Sequence, residues 1–349
     1  MSKNRFFIRQ YSLDDFFHGG IGYSDAEKIL MNNKFVPVLF PHYGSFSMIA
    51  KLNRFFYLLK MFFVIPNGSR IVFLFPVYAR MNRLLLGLLR KKKNIRIICF
   101  VADIDGIKDG DENVLKREIA TLNRYRYFIV HNESMRWWLA SQVPDAIIAG
   151  IEFFDFLAKP FEGSREKNDE IVFAGNLEKS RFLEELQQLK GSAPALHFNL
   201  YGPGVTETMV MQKNVTFKGI FPPYGLPPKL EGSFGLVWDG DAIDHPGGSL
   251  GNYMQYISHH KLSLYIVSGL PLIVPDMAAS APLVKKYGIG ITIKNLFSIQ
   301  EQLDRITADQ YQQMKNNLKP LADRISTGKG LELAVAELLE FEGGGKANG

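Results

Sequence analysis

The sequence predicts two consecutive doubly wound α/β domains, each a parallel sheet covered by helices on both faces. Three observations predict it. The chain has 349 residues, and one domain usually takes about 100–200. Its β-type segments are continuous apolar runs, as strands buried on both faces require. Helical patterns separate those runs throughout, and the alternation restarts after a polar, turn-rich stretch at 158–169.

In the first half, strands are expected at 35–40 (Phe-Val-Pro-Val-Leu-Phe), 71–75 (Ile-Val-Phe-Leu-Phe), 95–101 (Ile-Arg-Ile-Ile-Cys-Phe-Val), 127–130 and 146–149, with a further short one at 5–9. Helical patterns fall near 24–32, 45–59, 78–92, 111–123 and 133–142. Residues 158–169 read as an interdomain linker. Strands then follow at 170–174, 196–201, 214–218, 234–239, 271–275 and 289–293, with helices near 179–189, 224–231, 252–268, 278–287, 298–304 and 308–325. A last amphipathic segment, 330–341, is expected to return to the first domain. The glycine-rich tail 343–349 is expected to be disordered. The predicted domains are therefore 1–155 and 156–342.

Sheets of this kind bind ligands outside the carboxyl ends of their strands. Two of them facing each other enclose a cleft suited to a pair of substrates.

Charge is unevenly placed. Residues 1–150 carry 22 Lys+Arg and 12 Asp+Glu, a net +10, whereas residues 151–349 carry 19 and 23, a net −4. A basic half points to an anionic partner. No apolar run approaches the roughly 20 residues of a membrane span; the runs stop at Lys60, Pro66 and Pro76. Phe6–Ile8 is shorter than the apolar core of about 7–15 residues in a signal peptide. The single cysteine, Cys99, excludes an intramolecular disulfide framework and fits a reducing cytoplasm. Within 51–93, apolar side chains alternate with Lys51, Arg54, Lys60, Arg70, Arg80, Arg83 and the run Arg90 to Lys93. The apolar members are expected in the core. The cations are expected at an anionic lipid surface, a peripheral contact at the inner face of the plasma membrane.

Several chemistries are excluded by their motifs. The dinucleotide fingerprint G-x-G-x-x-G and the P-loop are absent, which argues against nicotinamide enzymes, twin-Rossmann epimerases and NTPases. Gly247 to Gly251 matches G-x-S-x-G, but no carboxylate lies between Ser249 and His259, and Asp241 to Pro246 separate the motif from its strand. The glycines read instead as a flexible loop beside the cleft. Asp103-Ile104-Asp105 has the D-x-D spacing that can hold a hard cation. Its position at the end of strand 95–101 makes Asp103 a cleft residue whether or not a metal is involved.

Two segments carry sharper chemistry. In Ile171 to Phe182 a strand ends at Ala174, a Gly175-Asn176 turn follows, and Lys179 and Arg181 come next, a setting suited to phosphate. Farther on, a strand ends at Trp238-Asp239, and a helix carries Lys261 near its start and stops at Gly269. Lys261 is expected to be solvated or ligand-bound rather than structural.

The segments F-A-G-N-L-E-K-S-R-F, F-G-L-V-W-D-G and H-K-L-S-L-Y-I-V-S-G-L-P-L-I-V resemble bacterial galactofuranosyltransferases and the related glucosyltransferases that extend adhesin glycans. The resemblance runs from about 170 to 325 and more weakly from about 70 to 150. It implies a cytosolic GT-B enzyme that needs no metal or other cofactor and takes a UDP-sugar as substrate. The acceptor would meet the first domain and the donor the second. Gly175, Asn176, Lys179, Arg181, Trp238, Asp239 and Lys261 would form the donor site, with Lys179 and Lys261 on the diphosphate.

Asp103 is the candidate catalytic base, ahead of His18 and Asp239. His18, Gly19 and Gly20 would lie on the acceptor side, in a segment, Asp14 to Gly22, that replaces the family's usual first-strand loop. The expected reaction is hexosyl transfer, galactofuranose favoured over glucose, to a glycan or lipid-linked glycan, with no nucleic-acid partner and homo-oligomerisation left open. The rival reading is a non-catalytic module of two α/β domains that binds a nucleotide or docks a membrane complex.

Overall fold

The computed structural model describes residues 4–10, 20–41 and 47–341. It contains two six-stranded sheets in which every pairing is parallel. The first comprises β1 (Arg5–Ile8), β2 (Val36–Val38), β3 (Arg70–Phe75), β4 (Arg96–Val101), β5 (Tyr127–Val130) and β6 (Ile147–Gly150), in the order β2-β1-β3-β4-β5-β6. The second comprises β7 (Glu170–Ala174), β8 (His197–Tyr201), β9 (Val215–Gly219), β10 (Phe234–Leu236), β11 (Leu272–Pro275) and β12 (Gly290–Ile293), in the order β12-β11-β10-β7-β8-β9. Strand order reverses between β1 and β3 in one sheet and between β7 and β10 in the other, which marks both crevices where ligands bind.

The apolar runs become strands because both faces are covered. In β3, Ile71, Phe73 and Phe75 enter one core while Val72 and Leu74 enter the other. In β7, Ile171 and Phe173 face one core, and Val172 and Ala174 face the opposite one.

The two halves interlock. The helix Lys329–Glu340 places Leu331, Ala334, Val335 and Leu338 on the first sheet beside Val72, Leu74 and Phe100. The Asp155 carboxylate caps this helix, accepting from the backbone N–H groups of Gly330 (3.1 Å) and Leu331 (2.7 Å). Arg96 donates to the carbonyls of Leu339 and Phe341 at the other end. In return, Tyr253 is buried in the core of the first half with Phe73, Val101 and Leu122. The segment 158–169 is no loose linker. The buried Arg165 within it donates to the carbonyls of Ser268, Leu230 and Pro227 and straps the segment to the second half.

Other expectations are corrected. The helix foreseen at 252–268 is two, Gly248–Tyr253 and His260–Val267, so the glycines at 247–251 open a helix instead of forming a loop. The break has a tertiary cause. Asn132 of the first half donates to the Tyr256 carbonyl and to Ser258 Oγ, and Ser258 in turn donates to the Glu152 carbonyl. The segment 224–231 is two short 3₁₀ turns around Pro227-Pro228, which lack the N–H groups an α-helix needs. The helix foreseen at 179–189 is 3₁₀ over Arg181–Gly191.

The largest departure is the helix Met48–Val64, of which only Ala50, Leu58 and Met61 are buried. Most of its apolar side chains face outward, not into the core.

Candidate active site

The β7 and β8 loops are pressed together at the crevice of the second sheet. Gly175 N–H donates to the Tyr201 carbonyl at 2.9 Å. A Cβ on Gly202 would stand 1.9 Å from the Gly175 oxygen, and Gly202 has φ +124°, so only glycine fits. A Cβ on Gly175 would come within 2.9 Å of Lys261 Cε. The bare turn lets the lysine stem pass over it. Gly175, Gly202, Phe221, His260, Lys261 and Leu264 line a cavity of about 100 Å³, which Ile21 of the first half closes from the other side.

Lys261 sits in the first turn of the helix His260–Val267, whose N-cap, His259, makes no side-chain cap. Its ammonium pairs with the Asp239 carboxylate and lies 4.4 Å from the centre of the Phe173 ring. His259 Nε2 meets the other oxygen of Asp239 at 2.9 Å. Burial alone would raise the Asp239 carboxyl, but Lys261 and His259 outweigh it and hold the acid well below the usual carboxylate range. Lys261 is thus neither a solvated lysine nor a purely ligand-facing one. It lines the cavity while neutralised by a buried carboxylate.

Across the cleft, Asp103 follows β4. Its carboxylate accepts from Tyr253 Oη at 3.2 Å and faces Lys108 Nζ at 3.4 Å. Tyr253 Oη also accepts from the Ile104 backbone N–H at 2.7 Å, so a residue of the second half fixes this loop of the first. Burial raises the Asp103 carboxyl despite the opposing pull of Lys108. Lys108 bridges to Asp105, and Tyr78 donates to the other Asp105 oxygen at 2.8 Å. An ammonium therefore stands between the two carboxylates of the D-x-D pair. Among the described residues, no group of three or more His, Cys, Asp or Glu gathers as for a metal ion.

A column of rings crosses the seam. His131, at the end of β5, packs on Phe154 at 4.3 Å, and Phe154 stacks on His260 at 4.2 Å. Burial pushes His131 down to about 3 and His260 down to about 4. A Cβ on Gly22 would stand 2.1 Å from His260 Nε2, so the helix Ile21–Asn32 lies directly against this histidine. Tyr224 Oη donates to the buried Asp25 in a further tie between the halves.

The structure brings Gly175 and Lys261 together in one cavity with Asp239 behind them. Trp238 is fully buried, donates its indole N–H to the Ala242 carbonyl at 3.0 Å, and presents only its carbonyl to Lys261. Asn176 accepts from the Lys179 backbone N–H at 3.4 Å and so braces its own turn. Lys179 and Arg181 are exposed beside that turn. Gly20 precedes the first turn of the helix Ile21–Asn32 at the cleft's edge; His18 and Gly19 lie outside the described residues.

Tyr253, Lys108 and His131 escaped the sequence reading. Tyr253 falls in the helix expected at 252–268, and only three-dimensional pairing links it to Asp103, 150 positions earlier. The doublet His259-His260 was visible beside Lys261, but nothing in it assigns one ring to Asp239 and the other to the seam.

Residues 171–338 match the C-terminal domain of glucosyltransferase 3-like proteins, and residues 8–143 match their N-terminal domain. The chain is 27% identical over 282 residues to beta-1,6-galactofuranosyltransferase WbbI of Escherichia coli K12, covering 79% of this chain and 81% of that one. It is also 27% identical over 174 residues to glucosyltransferase 3 of Streptococcus gordonii, covering 48% of this chain and 49% of that one. Among solved structures, HepE of Anabaena in complex with UDP and glucose superposes with a TM-score of 0.64 over 97% of this chain and all of that one, at 10% identity. Sucrose-phosphate synthase of Thermosynechococcus elongatus does so with a TM-score of 0.57 over 88% and 83%, at 14% identity. The fold they share with this chain is GT-B.

Proposed function

The chain belongs to the glucosyltransferase 3-like family, and we propose that this glycosyltransferase moves galactofuranose from UDP-galactofuranose to a hydroxyl of a glycan acceptor in cell-surface polysaccharide or glycoprotein glycan synthesis. The observation that carries the donor reading is the cavity at the carboxyl ends of β7 and β8, where Lys261 crosses the bare Gly175 turn. A UDP diphosphate at this point would meet the ammonium and the uncapped first turn of the helix His260–Val267. The choice of galactofuranose is supported by the greater extent of the likeness to the galactofuranosyltransferase, 79% of this chain against 48% for the Streptococcus gordonii glucosyltransferase.

In this reading Lys261 is first held by Asp239 and then shared with the diphosphate. Charge growing on the leaving oxygen as the bond from the anomeric carbon to UDP breaks is offset by the ammonium, a stabilisation realised most strongly in the transition state. The acceptor oxygen forms the new bond to the anomeric carbon and gives its proton to Asp103. The raised proton affinity of this partly enclosed carboxyl suits it to accept that proton, and Tyr253 and Lys108 hold it in place. Donor binding requires no metal ligand from the chain in this scheme.

The deciding experiment pairs UDP calorimetry with transfer assays that offer UDP-galactofuranose and UDP-glucose to glycan acceptors, followed by linkage analysis of the product. Preferential galactofuranosyl product supports the proposal, and preferential glucosyl product overturns the donor assignment. UDP binding with no transfer to any of a broad acceptor panel would favour a non-catalytic module.

A further inference from the structure

We propose that the outward face of the helix Met48–Val64 docks on an anionic lipid bilayer, lying flat in its headgroup region. The helix has 17 residues, about 25 Å at 1.5 Å per residue. Ala50, Leu58 and Met61 are buried on its inward face, and Leu58 and Met61 join the core against the first sheet. At 100° per residue, Met48, Leu52, Phe56, Leu59 and Phe63 share the opposite face. Their exposures run from 38% to 78%. A surface helix ordinarily turns charges outward here; this one turns a continuous apolar stripe outward, with Lys51 on one flank and Lys60 on the other. That is the pattern of a helix seated at a membrane interface, apolar side in the acyl boundary and cations at the phosphates.

Charge selects the occupant. From Lys28 to Ala102 the sequence holds 13 Lys+Arg and no Asp or Glu. The helix Arg80–Leu89 packs beside Met48–Val64 and leads into Arg90 to Lys93, so these two neighbouring helices and the turn after them carry cations without a carboxylate of their own, a positive field. Anionic headgroups complement that field, whereas a second copy of this chain would set like charge against like. Placement fits as well. The helix begins after the carboxyl end of the edge strand β2, the end of the sheet at which Asp103 follows β4. A docked helix would hold the acceptor side of the cleft next to the bilayer. The inference stands on the exposed face and its charge, independently of the donor reading.

The test is flotation of the full chain with phosphatidylcholine vesicles that contain or lack phosphatidylglycerol. Binding to the phosphatidylglycerol vesicles should exceed binding to the neutral ones by at least about tenfold. It should also weaken as salt shortens the screening length from about 10 Å at 0.1 M to about 3 Å at 1 M. Phe56→Ser/Phe63→Ser should lower vesicle affinity at least about tenfold, with melting temperature and UDP affinity unchanged because both rings point outward. Lys51→Glu/Lys60→Glu should abolish the preference for phosphatidylglycerol. Absence of flotation, or flotation that the serine variant leaves intact, overturns the proposal. A wild-type oligomer that the serine variant converts to monomer, with no flotation, would assign the face to a second copy and also overturn it. Unchanged UDP calorimetry in any of these outcomes leaves the donor reading untouched.

Discussion

Replacing Lys261 by methionine deletes a charge while keeping most of the stem. Lys261 is 15% exposed and Asp239 17%, so the pair is largely shielded from water. Removing one partner of a buried ion pair costs about 3–5 kcal/mol. His259 remains 2.9 Å from the carboxylate and keeps one of its oxygens hydrogen-bonded, which favours the lower end, about 3 kcal/mol. At roughly 2–4 °C per kcal/mol for a domain of this size, melting should fall by about 6–12 °C.

A separate effect falls on the donor. A hydrogen bond to a charged group is worth about 1.5–3 kcal/mol, so UDP should bind about one to two decades more weakly. The double variant Lys261→Met/Asp239→Leu separates the two effects. It exchanges the pair for apolar groups, often neutral for stability, so the melting temperature should recover in part, His259 having lost its partner, while UDP affinity stays low. Scanning calorimetry and UDP titration on the wild type and both variants decide the matter. A single variant that melts within about 2 °C of the wild type refutes the buried-pair reasoning, and a double variant with wild-type UDP affinity removes Lys261 from the diphosphate.

Asp103→Asn should slow transfer by about 10²- to 10⁴-fold with UDP affinity unchanged in calorimetry; undiminished turnover would exclude Asp103 as the base. Tyr253→Phe removes a donor that helps keep Asp103 ionised, so the acid limb of the kcat/KM profile should move to higher pH, and an unmoved limb would disconnect the two residues. His131 and His260 have lowered proton affinity in the fold. The unfolded chain therefore binds their protons first, near the ordinary value of about 6.5. Their contribution to stability is full above that pH and is lost toward pH 4, by about 1.4 kcal/mol per pH unit for each histidine. His131→Leu should flatten this decline in urea unfolding followed between pH 6.5 and 4.5; an equal slope counts against it. Gly22→Ala drives a methyl into His260 and should cost about 1–3 kcal/mol by overpacking, read as a lower melting temperature.

The strands could be read in the sequence because burial on both faces writes itself as unbroken apolar runs; β3, β4, β5 and β7 fall within one residue of expectation. Helices failed where a partner far along the chain decides. The break before His260–Val267 is made by Asn132 and Glu152, and no local pattern contains them. The sequence places the apolar side chains of Met48–Val64 in the core, because composition alone cannot say which way a helix with two apolar faces turns. In the site, Gly175 and Asp103 are recognisable from their positions at strand ends, and Lys261 from its place near the start of a helix. The pairing of Lys261 with Asp239, and of Asp103 with Tyr253, depends on how β10 and the helix Gly248–Tyr253 are set against their neighbours, which residue spacing does not encode.

The cover that residues 329–340 give the first sheet bears on the order in which the protein matures. During synthesis the strands β1 to β6 leave the ribosome well before Leu331, Ala334, Val335 and Leu338 exist. Until then Val72, Leu74, Ile98 and Phe100 lack those partners, and Tyr253 is likewise missing from the opposite core. The usual vectorial sequence, in which the half made first is finished first, is therefore inverted. The first half reaches its final packing only after the second sheet has been translated, and a nascent chain halted between β6 and β7 should be the species that holding chaperones retain.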